Sequence, residues 1–156
     1  MQHKEASLNM TAFSATLHCL TGCAIGEVLG MVIGTALGWS DFATIALAVV
    51  LAFFFGYLLT MLPLLRSGLA LASALPLAFA SDTLSIAIME IVDNAIMLVI
   101  PGAMEAGLGS FLFWGSLAFA LAVAFVVAFP VNRYLIARGL GHAVVHEYHH
   151  GSHHDH

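Results

Sequence analysis

The chain has 156 residues, of which 61% are hydrophobic and only 8% charged, and its mean hydropathy is +0.99. So few polar side chains cannot cover a water-soluble globule of this length, and the composition predicts one small membrane domain in contact with a lipid bilayer. The net charge of −5 says little about partners, but the sequence has no basic cluster that would bind a nucleic acid.

Four apolar stretches are predicted to cross the bilayer, whose core of about 30 Å needs roughly 20 residues of helix. In chain order they are Thr11–Gly38, Phe42–Leu65, Ser81–Ile100 and Phe111–Ile136. The first is not expected to be a cleaved signal peptide, because it is too long and carries His18 and Glu27.

The basic residues predict the orientation of these spans. With four spans and a cytoplasmic amino terminus, all lysines and arginines face the cytoplasm: Lys4, Arg66, Arg133 and Arg138. The outer loops, Trp39–Asp41 and Pro101–Ser110, carry no positive charge. We therefore expect an all-α polytopic membrane protein with both termini in the cytoplasm.

The first span has a glycine at every fourth position: Gly22, Gly26, Gly30, Gly34 and Gly38. Such a ridge lets another helix approach backbone to backbone. Four helices enclose little interior and the ridge packs one helix at a time, so we expect a homo-oligomer. If the ridge is filled within the chain, the flat face Ala118–Ala128 is the alternative contact.

The segment Ser67–Ala80 is apolar but too short to cross alone. It is predicted to be either a kinked extension of the third span or a re-entrant piece. Pro76 disfavours helix at Leu75, so a break is expected there. Ser81 and Asp82 would then cap a restarted helix.

Ionisable groups inside a bilayer cost at least about 2.5–3.5 kcal/mol each and usually serve a function. Cys19, Cys23 and Glu27 share one face of the first span, and the acids of the third span share another. Glu27 and Glu90 are both near mid-span, so they should lie at the same depth. Neighbouring carboxylates in a low dielectric need a cation or protons between them.

The donor types predict a transition-metal ion, because thiolate and thioether suit Cu(I) and thiolate with imidazole suits Zn. The candidate ligands within the spans are His18, Cys19, Cys23, Glu27, Asp82, Met89, Glu90 and Asp93. Met89 and Met97 share the face of the third-span acids, although they and Met31 are most often apolar filler. The plainer alternatives are that the cysteines are small packing residues and the acids only join helices by hydrogen bonds.

Residues 142–156 form a histidine-rich tail after the membrane domain of residues 1–141. His142 and His146 are spaced by four, so a helical tail would present both to one Zn²⁺ or Cu²⁺ ion. Binding should weaken as the pH falls through about 6.5, where imidazole takes up a proton. The alternative is a tail that only solubilises the chain.

Three segments resemble a known family: His18–Glu27, Asp82–Asn94 and Pro130–His146. They look like a bacterial family of small four-helix membrane proteins that is catalogued only as a domain of unknown function. The resemblance covers nearly the whole chain and supports the span count. It implies no activity.

We therefore expect a membrane protein, not an enzyme, that binds and translocates a transition-metal cation, copper or zinc, between spans 1 and 3. One alternative is a proton-coupled transporter of small organic cations that uses Glu27. Another is a non-catalytic partner in a larger membrane assembly. A thiol oxidoreductase using Cys19 and Cys23 is disfavoured, because redox thiols are usually separated by two residues.

Overall fold

The computed structural model describes residues 2–138, which form four long helices joined by short connections. The helices are α1 (Gln2–Ala36), α2 (Asp41–Arg66), α3 (Leu71–Val99) and α4 (Phe111–Ala137). No strand occurs within these residues, so the all-α prediction is confirmed. The predicted tail, with His142 and His146, lies outside the described residues.

Three of the helices are long and apolar enough to cross a membrane. These candidate spans are Glu5–Ala36, Asp41–Leu62 and Phe111–Ala137. The third helix, α3, has 29 residues and is therefore about 43 Å long at 1.5 Å per residue. It also has the length to cross, but it carries three acids along its course: Asp82, Glu90 and Asp93.

The glycine ridge of α1 packs against α2 of the same chain. A Cβ atom added at Gly22 would lie 2.7 Å from the Cα of Gly56, and one added at Gly30 would lie 2.6 Å from the Cα of Ala48. Only glycine permits so close an approach. The pairs run in opposite directions along the two helices: Gly22 with Gly56, Gly26 with Ala52, Gly30 with Ala48 and Gly34 with Thr44.

One detail of the ridge prediction is wrong: Gly38 lies beyond the end of α1 with φ +67°, so it belongs to the turn and not to the ridge. Of the two alternatives for the ridge, the structure agrees with the one in which a helix of the same chain fills it. Because α2 occupies it, the ridge is not available to a second copy of the chain. Within Ala118–Ala128, the small residues Ala120, Ala124 and Ala128 are buried in the bundle as well. A homo-oligomer through another face stays a prediction.

The third helix is continuous through Pro76, so the predicted break at Leu75 is wrong. Pro76 is the sixth residue of α3, and its ring removes only one hydrogen bond, the one to the carbonyl four residues earlier. Of the two alternatives for this segment, the structure agrees with an extension of span 3 and not with a re-entrant piece. Ser81 and Asp82 consequently lie inside the helix and do not cap it.

The described arginines gather at one end of the bundle, here called the arginine end. Arg133 of α4 donates from Nε to Oδ1 of Asn9 in α1 at 2.6 Å. Arg66 ends α2, which runs antiparallel to α1, so it lies at the same end. The guanidinium of Arg138 lies 5.1 Å from the ring centre of Tyr134. The loops at the opposite end, residues 37–40 and 100–110, contain no lysine or arginine.

Candidate functional site

Polar side chains of α1 and α3 face each other along the middle of the bundle. The first contact, nearest the arginine end, joins Cys19 to Asp82, whose Sγ and Oδ1 atoms are 3.9 Å apart with the thiol as donor. About one turn further, the Cys23 thiol lies within hydrogen-bonding reach of the Glu90 carboxyl. These contacts show that α1 and α3 run in the same direction with their polar faces together, as predicted.

Three carboxyl groups meet one turn beyond Cys23, and we call them the acid cluster: Glu27, Glu90 and Asp93. Their exposed fractions are only 4%, 3% and 1%. The Glu27 carboxyl lies within hydrogen-bonding reach of both Asp93 and Glu90. Ionised carboxylates only accept hydrogen bonds, so such a bond requires a proton between the two groups.

Hydrogen-bond donors from the protein satisfy little of the acid cluster. The Asn94 Nδ2 donates to Oε2 of Glu90 at 3.2 Å and to the Glu90 carbonyl at 2.8 Å. Oε1 of Glu27, Oε1 of Glu90 and both carboxylate oxygens of Asp93 receive no hydrogen bond from the described residues. Buried acceptors of this kind are costly unless something outside the chain completes them.

A small cavity adjoins the acid cluster on the side away from the arginine end. Its volume of about 20 Å³ is enough for a single water molecule or a bare ion. Glu27, Asp93 and Asn94 contribute its polar lining. The remaining lining is apolar. It comprises the thioethers of Met31, Met97 and Met104 together with Ile45, Ala48, Phe113 and Leu117.

The sequence places Met97 on the face of the third-span acids, but neither Met97 nor Met31 is among the predicted ligands, because both are interpreted as filler. Met31 follows Glu27 by four residues, and Met97 follows Asp93 by four. Residues four apart share a helical face, so this spacing was the signal that places both thioethers beside both acids. Met104 belongs to the loop between α3 and α4, and no periodic pattern could have placed it.

A second buried polar contact joins α1 to α4 near the arginine end. Asn132 donates from Nδ2 to Oγ1 of Thr16 at 3.0 Å, and Thr16 donates to the Ala12 carbonyl at 2.6 Å. Ser85 is also fully buried on α3, one turn from Asp82. None of these three polar residues was among the predicted ligands, because a single hydroxyl or amide in a span carries no distinctive spacing.

The predicted ligands do not form one site. Cys19 meets Asp82 and not Glu90 or Asp93, because it is eight residues, about 12 Å along the helix axis, from Glu27. His18 is half-buried and still further from Glu27. Met89 is buried with both cysteines in the apolar core nearer the arginine end.

The structure therefore divides the predicted ligands between two depths. Cys19 and Asp82 lie nearer the arginine end, and Cys23, Glu27, Glu90 and Asp93 lie further from it. Neither Cys19 nor Cys23 takes part in a disulfide among the described residues. Among residues 2–138, no three side chains of histidine, cysteine, aspartate or glutamate are arranged to hold one metal ion.

Long apolar helices around a buried file of thiols and carboxyls define a helical protein of the membrane class. The chain belongs to the family DUF4396, a domain of unknown function, whose model matches residues 9–141. This confirms the resemblance to a domain of unknown function. No curated protein and no solved structure matches the chain.

Proposed function

We propose that the protein binds a cation at the acid cluster and moves it across the membrane between α1 and α3, with a transition-metal ion as the substrate. The observation that carries this proposal is the contact between Glu27 and Asp93. Both are buried, and both keep oxygens that receive no hydrogen bond from the described residues. Arg66, Arg133 and Arg138 all lie away from them, at the arginine end.

Packing alone does not account for three acids in the interior of the bundle. Each ionisable side chain at the middle of a bilayer costs at least about 2.5–3.5 kcal/mol. A cation bound between the carboxylates removes the repulsion and supplies the charge that the surrounding helices lack. An apolar side chain of similar size would serve packing better at each position.

The buried polar side chains along α1, which we call the polar file, support a route for the cation as well as a binding site. The polar file begins at Thr16 and Asn132, passes Cys19 with Asp82 and Cys23 with Glu90, and ends at the cavity beside Met31. The fifteen residues from Thr16 to Met31 span about 22 Å of a hydrocarbon core about 30 Å thick. A short further movement of the cation at each end of the polar file would complete its crossing of the membrane.

We propose further that α3 is a fourth span and that both termini are cytoplasmic, in a bacterial inner membrane. The support is the position of the arginines, which all lie at the end where α1 begins and α4 ends. Cytoplasmic ends of spans are the ones enriched in arginine and lysine. An α3 with buried acids then crosses with its polar face turned inward, as intramembrane acids usually are.

The donor set favours a transition metal, copper or zinc, over Na⁺ or K⁺. A thiol at Cys23, carboxylates at Glu27, Glu90 and Asp93, and neighbouring thioethers together suit borderline and soft ions. Closure of α1 on α3 around the ion would be needed to bring three of these ligands together.

A second candidate is a proton-coupled transporter of small organic cations. It is favoured by the hydrogen-bonding distance between Glu27 and its two neighbouring carboxyls, which suits a shared proton. It also needs no convergence of three metal ligands.

Reconstituted vesicles test the first proposal against the second. Purified protein should admit Zn²⁺ or Cu⁺, reported by a dye trapped inside the vesicles, and Glu27→Gln should lower the rate by about tenfold or more. Glu105→Gln changes an exposed acid in the loop after α3 and should leave the rate unchanged. Uptake of tetraphenylphosphonium driven by a pH gradient, with no metal uptake, would support the second candidate. Transport of neither, by a protein that also binds neither, would leave the role of a non-catalytic assembly partner.

A further inference from the structure

We infer that Met31, Met97 and Met104 form a thioether site for a soft monovalent metal ion, Cu(I), in the cavity beside Glu27 and Asp93. The inference rests on the proposed function in that the same carboxylates supply the charge, and it narrows the substrate from transition metals in general to one soft ion.

The three thioethers come from three different parts of the fold. Met31 lies near the end of α1, Met97 near the end of α3, and Met104 in the loop that leads to α4. All three line one cavity of about 20 Å³. Side chains from separate elements that meet around a small space are arranged as metal ligands usually are.

The chemistry of the cavity favours a soft ion over a hard one. Thioether sulfur is neutral and polarisable and binds Cu(I) without losing a proton. A hard divalent ion such as Ca²⁺ needs six to eight oxygen ligands. Among the described residues, the side-chain oxygens that line the cavity come from Glu27, Asp93 and Asn94, and the other lining side chains are apolar.

The carboxylates provide the second, independent observation. Glu27 and Asp93 are 4% and 1% exposed, line this cavity, and keep oxygens without a hydrogen-bond donor among the described residues. Thioethers alone would leave a bound cation with its charge uncompensated. A carboxylate beside them supplies the opposite charge, which the apolar walls cannot provide.

Methionine also fills irregular gaps in ordinary cores, and this alternative predicts something different. Three flexible side chains used as filler should close a space of this size. Here they border an opening that two buried carboxylates also reach.

The test uses the full chain with methyl-¹³C methionine, and Ag⁺ as a redox-inert stand-in for Cu(I). The seven methionines give separate methyl signals, assigned with single Met→Leu variants. Ag⁺ should shift the signals of Met31, Met97 and Met104. Met10, which is 70% exposed, and Met61, which is half-buried on α2, should not move.

Variants separate the thioether site from the thiols. In a Cys19→Ala/Cys23→Ala chain the same three signals should still shift. Adding Met31→Leu and Met97→Leu, which keep the side-chain volume, should weaken Ag⁺ binding by about 10- to 100-fold. Met10→Leu is the matched control and should bind as the parent does.

Two results would overturn the inference: a shift confined to Met89, or Ag⁺ binding that survives the two leucines unchanged. Neither would decide the proposed function, which depends on whether Glu27→Gln lowers cation uptake by the chain with all its methionines.

Discussion

Glu27 of α1 and Asp93 of α3 lie within hydrogen-bonding reach of each other in the interior of the bundle, at 4% and 1% exposure. Both are acceptors when ionised, so the contact is repulsive unless a proton or a metal ion lies between them. The nearest arginines are at the arginine end, near Asn9 and the end of α2. No arginine of the described residues lies beside this pair, so a proton or a cation from outside the described part of the chain is needed to remove the repulsion.

Labelling the loops after α1 and α3 from one side of the membrane tests the number of spans. Ser40→Cys and Glu105→Cys place exposed thiols in the loops after α1 and α3, whereas Cys19 and Cys23 are buried and serve as the blank. If α3 crosses, an impermeant maleimide added outside intact cells should label both introduced thiols. Ala6→Cys should be labelled only after the membrane is opened. Labelling of Ser40→Cys alone would mean that α3 does not cross.

Because α1 packs closely on α2, we expect an alanine in the glycine ridge of α1 to lower the stability of the protein more than an alanine elsewhere. In Gly26→Ala, the new methyl group would overlap the backbone of Ala52, which cannot move without shifting α2. We expect a loss of about 1–3 kcal/mol, as is usual for overpacking. Gly115→Ala is the control, because a Cβ there meets nothing within 4 Å. Thermal unfolding in one detergent compares the two, and equal midpoints would contradict the packing described.

The hydrogen bond from Asn132 to Thr16 predicts a modest effect on stability. Asn132→Ala removes the donor, and Thr16 keeps its bond to the Ala12 carbonyl. Hydrogen bonds between helices in a membrane contribute about 0.6 kcal/mol on average and at most about 1.7. We expect a loss in this range, against no loss for Ser14→Ala on the exposed face of α1. A variant as stable as the wild type would show that the contact contributes nothing.

Fold prediction from the sequence succeeded where one residue pattern dominates. The span Phe111–Ile136 became α4 (Phe111–Ala137), because an unbroken apolar run has no other stable form in a bilayer. The glycine spacing correctly indicated close helix packing but could not name the partner, since any smooth helix would fit. Pro76 did not break α3, because a proline inside a helix removes one hydrogen bond, a loss that membrane helices tolerate.

The site was predicted in outline but not in its pairings. The predicted equal depth of Glu27 and Glu90 correctly indicated that the two residues are neighbours, since both helices start at the same end of the bundle. The pairing of Cys19 with Asp82 depends on how far α3 slides along α1, which a helical face alone does not fix. Met104 reaches the cavity through an irregular loop, whose course follows from no repeat in the sequence.

The histidine tail remains a prediction with its own test. In the full chain, His142→Ala/His146→Ala should lower the Zn²⁺ bound per chain at neutral pH, because two imidazoles spaced by four would share the ion. Replacing His3, exposed at the start of α1, by alanine is the control. An unchanged zinc content would leave the tail without a metal role, whatever the membrane site does.

The central claim is that the acid cluster binds a cation, and equilibrium dialysis measures this most directly. Wild type, Glu27→Gln/Asp93→Asn and Glu105→Gln are held in lipid nanodiscs against Zn²⁺ and, separately, Cu⁺. The tail is common to all three proteins, so any difference between them belongs to the membrane interior. We predict that the double variant binds about one ion per chain fewer than the wild type, since its two amides no longer need a counter-charge. Glu105→Gln should match the wild type. Equal binding by all three proteins, for both ions, would contradict the claim.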